Sequence, residues 1–240
     1  MKKLIGAAIA AGATIAGAGV ANAEITGNVQ ATTDYVFRGV SLNDNGPAFQ
    51  GGIDWNNDQF YVGTWASTVI DGIEVDVYGG WTPKTGPVSW DLGVITYNYP
   101  GAHDSPDARF DYYELKAAGS MDVAEHVNLG AAVYYSPDNY GGTGTATYWE
   151  VNGAYTVNDS LNFTAAYGNQ RIEDPDGPGP ITSSDSYNTW NIGATYTWLG
   201  FDLDLRYHDT DIEAGSNIEA YTYGPSSYDA GVTFTVKRDL

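Results

Sequence analysis

Three histidines, no cysteine and 30 acids against 10 bases limit the chemistry open to this 240-residue chain. His208, followed by Asp209, has the makings of a hydrolytic base, but no serine sits in a recognisable nucleophile context. His103 and His126 fall in or beside connections, where an exposed imidazole is the default. Without cysteine there is neither thiolate chemistry nor a disulfide framework. Carboxylates cluster in IEDPDGPGP (172–180) and DTDIEAG (209–215), a composition hard cations accept, yet neither spacing is that of a calcium loop. Loose divalent bridging to lipopolysaccharide is what such loops suit. The expectation is a protein that is not an enzyme and carries no cofactor or metal.

The other charges fall into a pattern. Asp34, Arg38, Asp54, Glu74, Asp76, Asp91, Glu114, Lys116, Glu150, Asp202, Asp204 and Arg206 stand in runs where every second residue is apolar or aromatic. Side chains alternate across a strand, so one face of each run is charged and the other is not. Asp34 and Arg38 share a face, but four residues of strand separate them by about 13 Å, too far to pair. Each needs a partner on a neighbouring strand or on the segment 38–46 folded inward. For Arg38 two readings stand, a solvated charge or an anchor for that segment.

The elements that position these residues are strands. Alternating runs at 25–37, 47–55, 59–67, 72–81, 87–98, 109–119, 126–135, 145–156, 160–169, 186–198, 201–208 and 227–238 are separated by Gly, Asn, Asp and Pro, and no sustained helical period appears. Connections alternate between tight ones near 57, 84, 124, 158 and 200 and long ones near 42, 104, 140, 178 and 218, with a modest link at 68–71. A soluble sandwich has no reason to segregate loop length by end. An antiparallel up-and-down transmembrane β-barrel of 12 strands does, with long loops outside and short periplasmic turns. The uncharged faces fit lipid: Val29, Ala31, Tyr35 and Phe37 in the first run, Trp190, Ile192, Ala194, Tyr196 and Trp198 in a later one, aromatics mostly near strand ends.

Residues 1–23 read separately. Lys2 and Lys3 precede an apolar stretch ending in Ala21-Asn22-Ala23, which predicts a signal peptide cleaved after Ala23 and a barrel domain over 24–240. Losing two lysines moves the formal charge from −20 to −22, which excludes nucleic acid as a partner.

Twelve strands about 4.7 Å apart and tilted roughly 40° enclose a barrel of backbone radius about 12 Å, so the inward charges become pore-lining residues of a narrow lumen. Nine acids minus three bases leave six negative charges facing it, a cation-preferring arrangement. The expected function is a Gram-negative outer-membrane porin for small polar solutes or ions. A non-conducting structural or adhesive barrel, or a hydrolase at the rim, is the alternative. The partners implied are outer-membrane lipid and lipopolysaccharide, the barrel assembly machinery, and small polar solutes or cations.

The stretches TTDYVFRGVS and NGPAFQGGIDW, followed by FYVGTWAS, IEVDVYGGW and YNYPG, carry a resemblance. Together they resemble the TorF family of proteobacterial porins, also known as the uncharacterised family Gcw_chp, over most of the chain. The resemblance implies an exported outer-membrane barrel and transport. Leu42-Asn43 departs from the Gln and small hydroxyl residue of the family pattern, and Leu240 stands where such barrels usually carry an aromatic.

Overall fold

A computed structural model describes residues 23–70, 72–101, 110–173 and 185–240. All but the last residue of the expected signal peptide lies outside the described residues. Twelve long strands form the wall: β1 (Glu24–Thr32), β2 (Ala48–Asn56), β3 (Phe60–Val69), β4 (Gly72–Trp81), β5 (Val88–Asn98), β6 (Tyr112–Ala124), β7 (Val127–Ser136), β8 (Ala146–Asn158), β9 (Leu161–Ile172), β10 (Asp185–Trp198), β11 (Phe201–Thr210) and β12 (Gly231–Asp239). Each pairs antiparallel with its neighbours in sequence, and β1 pairs with β12, so the sheet closes into an up-and-down β-barrel. The β1–β12 ladder is short, running from Asn28 opposite Asp239 to Thr32 opposite Thr235. By contrast, β9–β10 runs from Leu161 opposite Tyr196 to Ile172 opposite Asp185.

Loop length sorts by end. Residues 57–59, 82–87, 125–126, 159–160 and 199–200 turn the chain at one end, while 33–47, 99–111, 137–145, 173–184 and 211–230 connect strands at the other, where the short link 70–71 is the one exception. Leu199 and Gly200 both have positive φ, 52° and 79°, as a two-residue hairpin turn that follows the strand twist requires.

The outward face is apolar. Phe49, Ile53, Ile192, Leu205 and Val232 are each more than half exposed. Exposed aromatics border the short turns, among them Trp55, Phe60, Trp81, Trp90, Trp198 and Phe201. A second group, including Phe49, Tyr113, Tyr135, Trp149 and Tyr207, borders the long loops. Aliphatic residues between two aromatic belts are the surface that a bilayer demands of a barrel, since the backbone polar groups are already paired in the ladder. Among the described residues no helix is long and apolar enough to cross a membrane; the strands do the crossing.

One expected strand differs in an informative way. The run 25–37 stops at Thr32, and Tyr35 and Phe37, expected against lipid, lie inside the barrel: Tyr35 is buried and Phe37 packs on an internal tyrosine cluster. Thr33 still donates its N–H to Phe234 O on β12, and then the chain leaves the wall. The last strand likewise starts at Gly231 instead of 227, because Pro225–Ser227 is a 3₁₀ turn.

Candidate functional site

The segment 33–47 folds into the lumen and is the feature around which the interior is built. Its core is a two-residue-turn hairpin in which Val36–Phe37 pairs with Val40–Ser41. Arg38 and Gly39 form the turn with φ of 49° and 85°. Positive φ suits Gly39 but is uncommon for an arginine, so the surrounding contacts must hold it there. They do. Arg38 Nη1 and Nη2 donate to Glu114 Oε1 and Oε2 on β6 at 2.8 and 2.7 Å, and Nη1 also donates to Gln170 Oε1 on β9 at 2.9 Å. The guanidinium lies 4.3 Å from the Tyr148 ring centroid and 5.1 Å from that of Tyr134. A bidentate, desolvated pair between aromatic rings is the arrangement in which arginine outperforms lysine.

Other contacts fix the rest of the segment. Tyr35 donates its hydroxyl to Glu74 at 2.7 Å, and Ser41 donates its hydroxyl to Asp34 at 2.7 Å. Gly39 abuts the opposite wall: a Cβ there would lie 2.5 Å from Thr189 Oγ1 and would also collide with Thr210. The residues that depart from the family pattern are used locally, Leu42 N–H donating to Tyr35 O and the Asn43 amide to Pro47 O.

The hairpin divides the lumen in two. On the β4–β8 side the space is filled by Ile95, Tyr97, Tyr112, Tyr134 and Tyr148, with Tyr78 and Tyr99 packed against them. Six of the twelve expected lumen charges lie in or beside this packing, and all but Asp76 are engaged. Asp54 accepts from Tyr78, Asp91 from Tyr61 and Lys116, Glu74 from Tyr35 and Tyr99, and Glu114 from Arg38 and Tyr97. Asp76 is 2 % exposed, and its Oδ1 has no hydrogen-bond partner. Near the short-turn end Asp202 accepts from Thr197.

On the other side a cavity of about 200 Å³ remains, walled by the hairpin, β1, β2 and β8–β12, and closed off by Trp65 of β3, Ile95 and Tyr97 of β5 and Tyr134 of β7. Of the twelve expected pore-lining residues it exposes Asp34, Arg38, Glu150, Asp204 and Arg206, three acids against two bases, a surplus of one instead of six. Arg206 lies flat on Gly193, where a Cβ would come within 2.7 Å of its Cζ. It is engaged by Asp204 at 3.0 Å, Asn191 at 2.7 Å and Thr164 at 2.9 Å. The rest of the lining mixes neutral polar side chains, among them Gln30, Gln50, Asn152, Thr189, Thr233 and Thr235, with apolar and aromatic ones such as Val36, Phe37, Trp65 and Ile95. The charge pattern does not mark these residues, although the same alternation that places Asp204 inward places Thr233 and Thr235 there. Lys237, in register with Asp202, follows that parity too and is a fourth inward base that the charge pattern leaves out.

Over the long-loop end, residues 211–230 fold back as a cap. Ile218, 1 % exposed, and Tyr228 pack with Val40 of the hairpin and with Ala146, Ile172 and Tyr187. Asn45 donates its side-chain amide to Ser226 O, joining cap and hairpin. Between neighbouring loops, Glu173 Oε2 accepts from Thr145 N–H and Oγ1 at 3.1 and 2.8 Å, which holds its carboxyl below the usual glutamate value.

The hydrolytic and metal candidates come apart. His208 is buried in the cavity wall, whereas the Asp209 carboxylate accepts from Tyr207 on the outer face and from the Thr210 N–H, so the two form no dyad. Asp211 is taken by Asn188. His103 and residues 174–180 lie outside the described residues, and among the described ones no three His, Asp or Glu converge as ligands.

A closed twelve-stranded barrel with an apolar belt and an inward-folded first loop defines the class: this is an outer-membrane barrel of porin-like fold. The chain belongs to the family described as "Bacterial protein of unknown function (Gcw_chp)", whose model matches residues 16–240. Similar solved structures include the NanC porin, with a TM-score of 0.56 at 11 % identity over 88 % of this chain and 97 % of that one. The KdgM porin, in complex with disordered oligogalacturonate, matches with a TM-score of 0.56 at 10 % identity over 90 % and 98 %. A loop-deletion form of OmpT, an outer-membrane protein of Vibrio cholerae, matches at 0.50 and 10 % over 91 % and 99 %. No curated protein matches.

Proposed function

We propose that the protein is an outer-membrane porin passing small polar solutes and ions along the unfilled side of its lumen, in keeping with the TorF porin resemblance. The observation that carries this reading is the polar cavity left beside the latched hairpin, since a purely structural barrel needs no side-chain-lined void of about 200 Å³ in its interior. Export by a signal peptide, folding by the barrel assembly machinery and residence among lipopolysaccharide belong to the same reading. So does a preference for cations, weaker than nine acids against three bases suggest, because only Asp34, Glu150 and Asp204 among the acids meet the cavity. Both cavity arginines are paired to carboxylates, so a polyanion such as the oligogalacturonate of the KdgM complex finds no free cation here.

The test is the reversal potential in a planar bilayer under a KCl gradient. A modest cation preference that falls with Glu150→Gln and Asp204→Asn, but not with Asp91→Asn, supports the assignment; anion selectivity overturns it. The apolar seal of Ile218 against Val40 favours a second reading, a barrel held shut at its outer end, in which a folded protein shows no conductance until residues 211–230 are removed.

A further inference from the structure

The cavity wall has a chemistry more specific than polarity, and it points to a class of solute; this rests on the porin reading above. Gln30, Gln50, Asn152, Asn191, Thr164 and Thr233 bring amides and hydroxyls to one space, groups that both donate and accept. The rings of Trp65, Tyr134 and Tyr148 line the same space. The arginines are already neutralised, Arg38 by Glu114 and Arg206 by Asp204, while Asp34 and Glu150 are held by neutral donors, the Ser41 hydroxyl for the first and the Tyr148 hydroxyl and Asn152 amide for the second. An anion seated here gives up hydration and meets no free counter-charge, and a cation meets only carboxylates whose oxygens already accept hydrogen bonds. An uncharged molecule rich in hydroxyls exchanges its water hydrogen bonds for equivalent ones.

A second observation comes from His208. It is 7 % exposed, it lines the cavity, and its Nδ1 is buried without a hydrogen-bond partner. A buried polar atom with no partner calls for an explanation; as the ring stands Nδ1 is shielded from the cavity, and a turn of the imidazole toward the space lets a solute hydroxyl satisfy it. Size agrees, since a void of about 150 Å³ is enough to admit a six-membered ring, and this one is about 200 Å³.

We propose that the cavity is a seat for a small neutral polyhydroxylated solute, of the size of a six-carbon polyol or monosaccharide, held by the amide and hydroxyl wall with His208 as one of its contacts. The seat selects against carboxylated and ammonium-bearing molecules of equal size.

The experiment uses the purified full-length mature protein in proteoliposomes and planar bilayers, with three probes of matched carbon chain: sorbitol, gluconate and N-methylglucamine. Swelling in sorbitol should be fastest, and sorbitol should interrupt the single-channel KCl current in a concentration-dependent way. The half-blocking concentration, read against each variant's own open-channel current, should rise about fivefold for each hydrogen bond lost, in His208→Phe and in Thr189→Val with Thr233→Val. Thr189→Ser with Thr233→Ser should restore it. Gluconate or N-methylglucamine entering faster than sorbitol, or a block unaffected by these substitutions, overturns the proposal while leaving the porin reading intact. A folded barrel without KCl conductance overturns the porin reading and the seat with it.

Discussion

Arg38 and Glu114 meet across the lumen through two parallel hydrogen bonds, 2.8 and 2.7 Å, although 76 residues separate them in sequence. The pair is almost fully desolvated, with side chains 8 % and 1 % exposed, so it works as a latch whose two halves are costly to separate.

Arg38→Ala leaves Glu114 buried without its counter-charge, a change that typically costs about 3–5 kcal/mol when a buried pair loses one partner. The expected outcome is a lower urea midpoint together with a larger single-channel conductance, because the hairpin no longer holds to β6. Unchanged conductance in a folded Arg38→Ala barrel contradicts the latch.

Gly39 tests the same hairpin from its other side. Gly39→Val must adopt a φ near 85° and place a Cβ against Thr189 and Thr210. The left-handed conformation alone costs roughly 1–2 kcal/mol for a residue with a Cβ. The hairpin should withdraw from β10 and β11, and the conductance should rise as in Arg38→Ala, without loss of the Arg38–Glu114 charge balance.

Asp76 should behave in the opposite sense to its neighbours. Its carboxylate carries a buried oxygen with no partner, on the same face as Glu74 two residues earlier. Asp76→Leu removes the unpaired oxygen and should raise the unfolding free energy by about 1 kcal/mol or more, the usual cost of an unsatisfied buried group, read as a higher urea midpoint. Asp54→Leu, which strands the Tyr78 hydroxyl, should lower it.

Glu173 makes the loop end sensitive to acid. Its carboxyl value is lowered by the Thr145 hydrogen bonds, so the tie is fully formed above the unfolded value, about 4.3, and is lost as pH falls through the lower folded value. The Thr145 amide shift in detergent should therefore titrate with a midpoint below that of free glutamate, and Glu173→Gln should abolish the titration.

Orientation can be read by labelling. Ala214 lies exposed in the cap and Asp58 in a short turn, at opposite ends of the barrel, and the chain has no cysteine of its own. In intact cells an impermeant maleimide should modify Ala214→Cys and spare Asp58→Cys; the reverse pattern inverts the topology.

The twelve strands were legible because lipid on one side and water on the other impose a period of two along every strand. Their ends were legible because turns such as Asn57-Asp58 and Leu199-Gly200 are chemically marked. The path of 33–47 was not legible. Thr32 through Phe37 keeps the alternation of a lipid-facing strand, and only Arg38-Gly39 between Phe37 and Val40 signals a two-residue turn, with arginine where asparagine is usual. The anchor reading of Arg38 holds, but its partner on β6 depends on closure of the whole barrel. The division of the lumen was hidden for a further reason: alternation shows which side chains face inward, not which of them the tyrosines bury.

The first loop also bears on how the barrel is sealed. Because the chain leaves the wall after Thr33 to reach Arg38, residues that could have lengthened β1 against β12 are given to the interior, and the ladder that joins first strand to last stays short. Constriction and closure thus draw on one stretch of chain, and lengthening either shortens the other. The joint between the chain's two ends is the hoop's weakest stave, so mechanical or thermal load should part the cylinder there, along a line that begins where the hairpin departs.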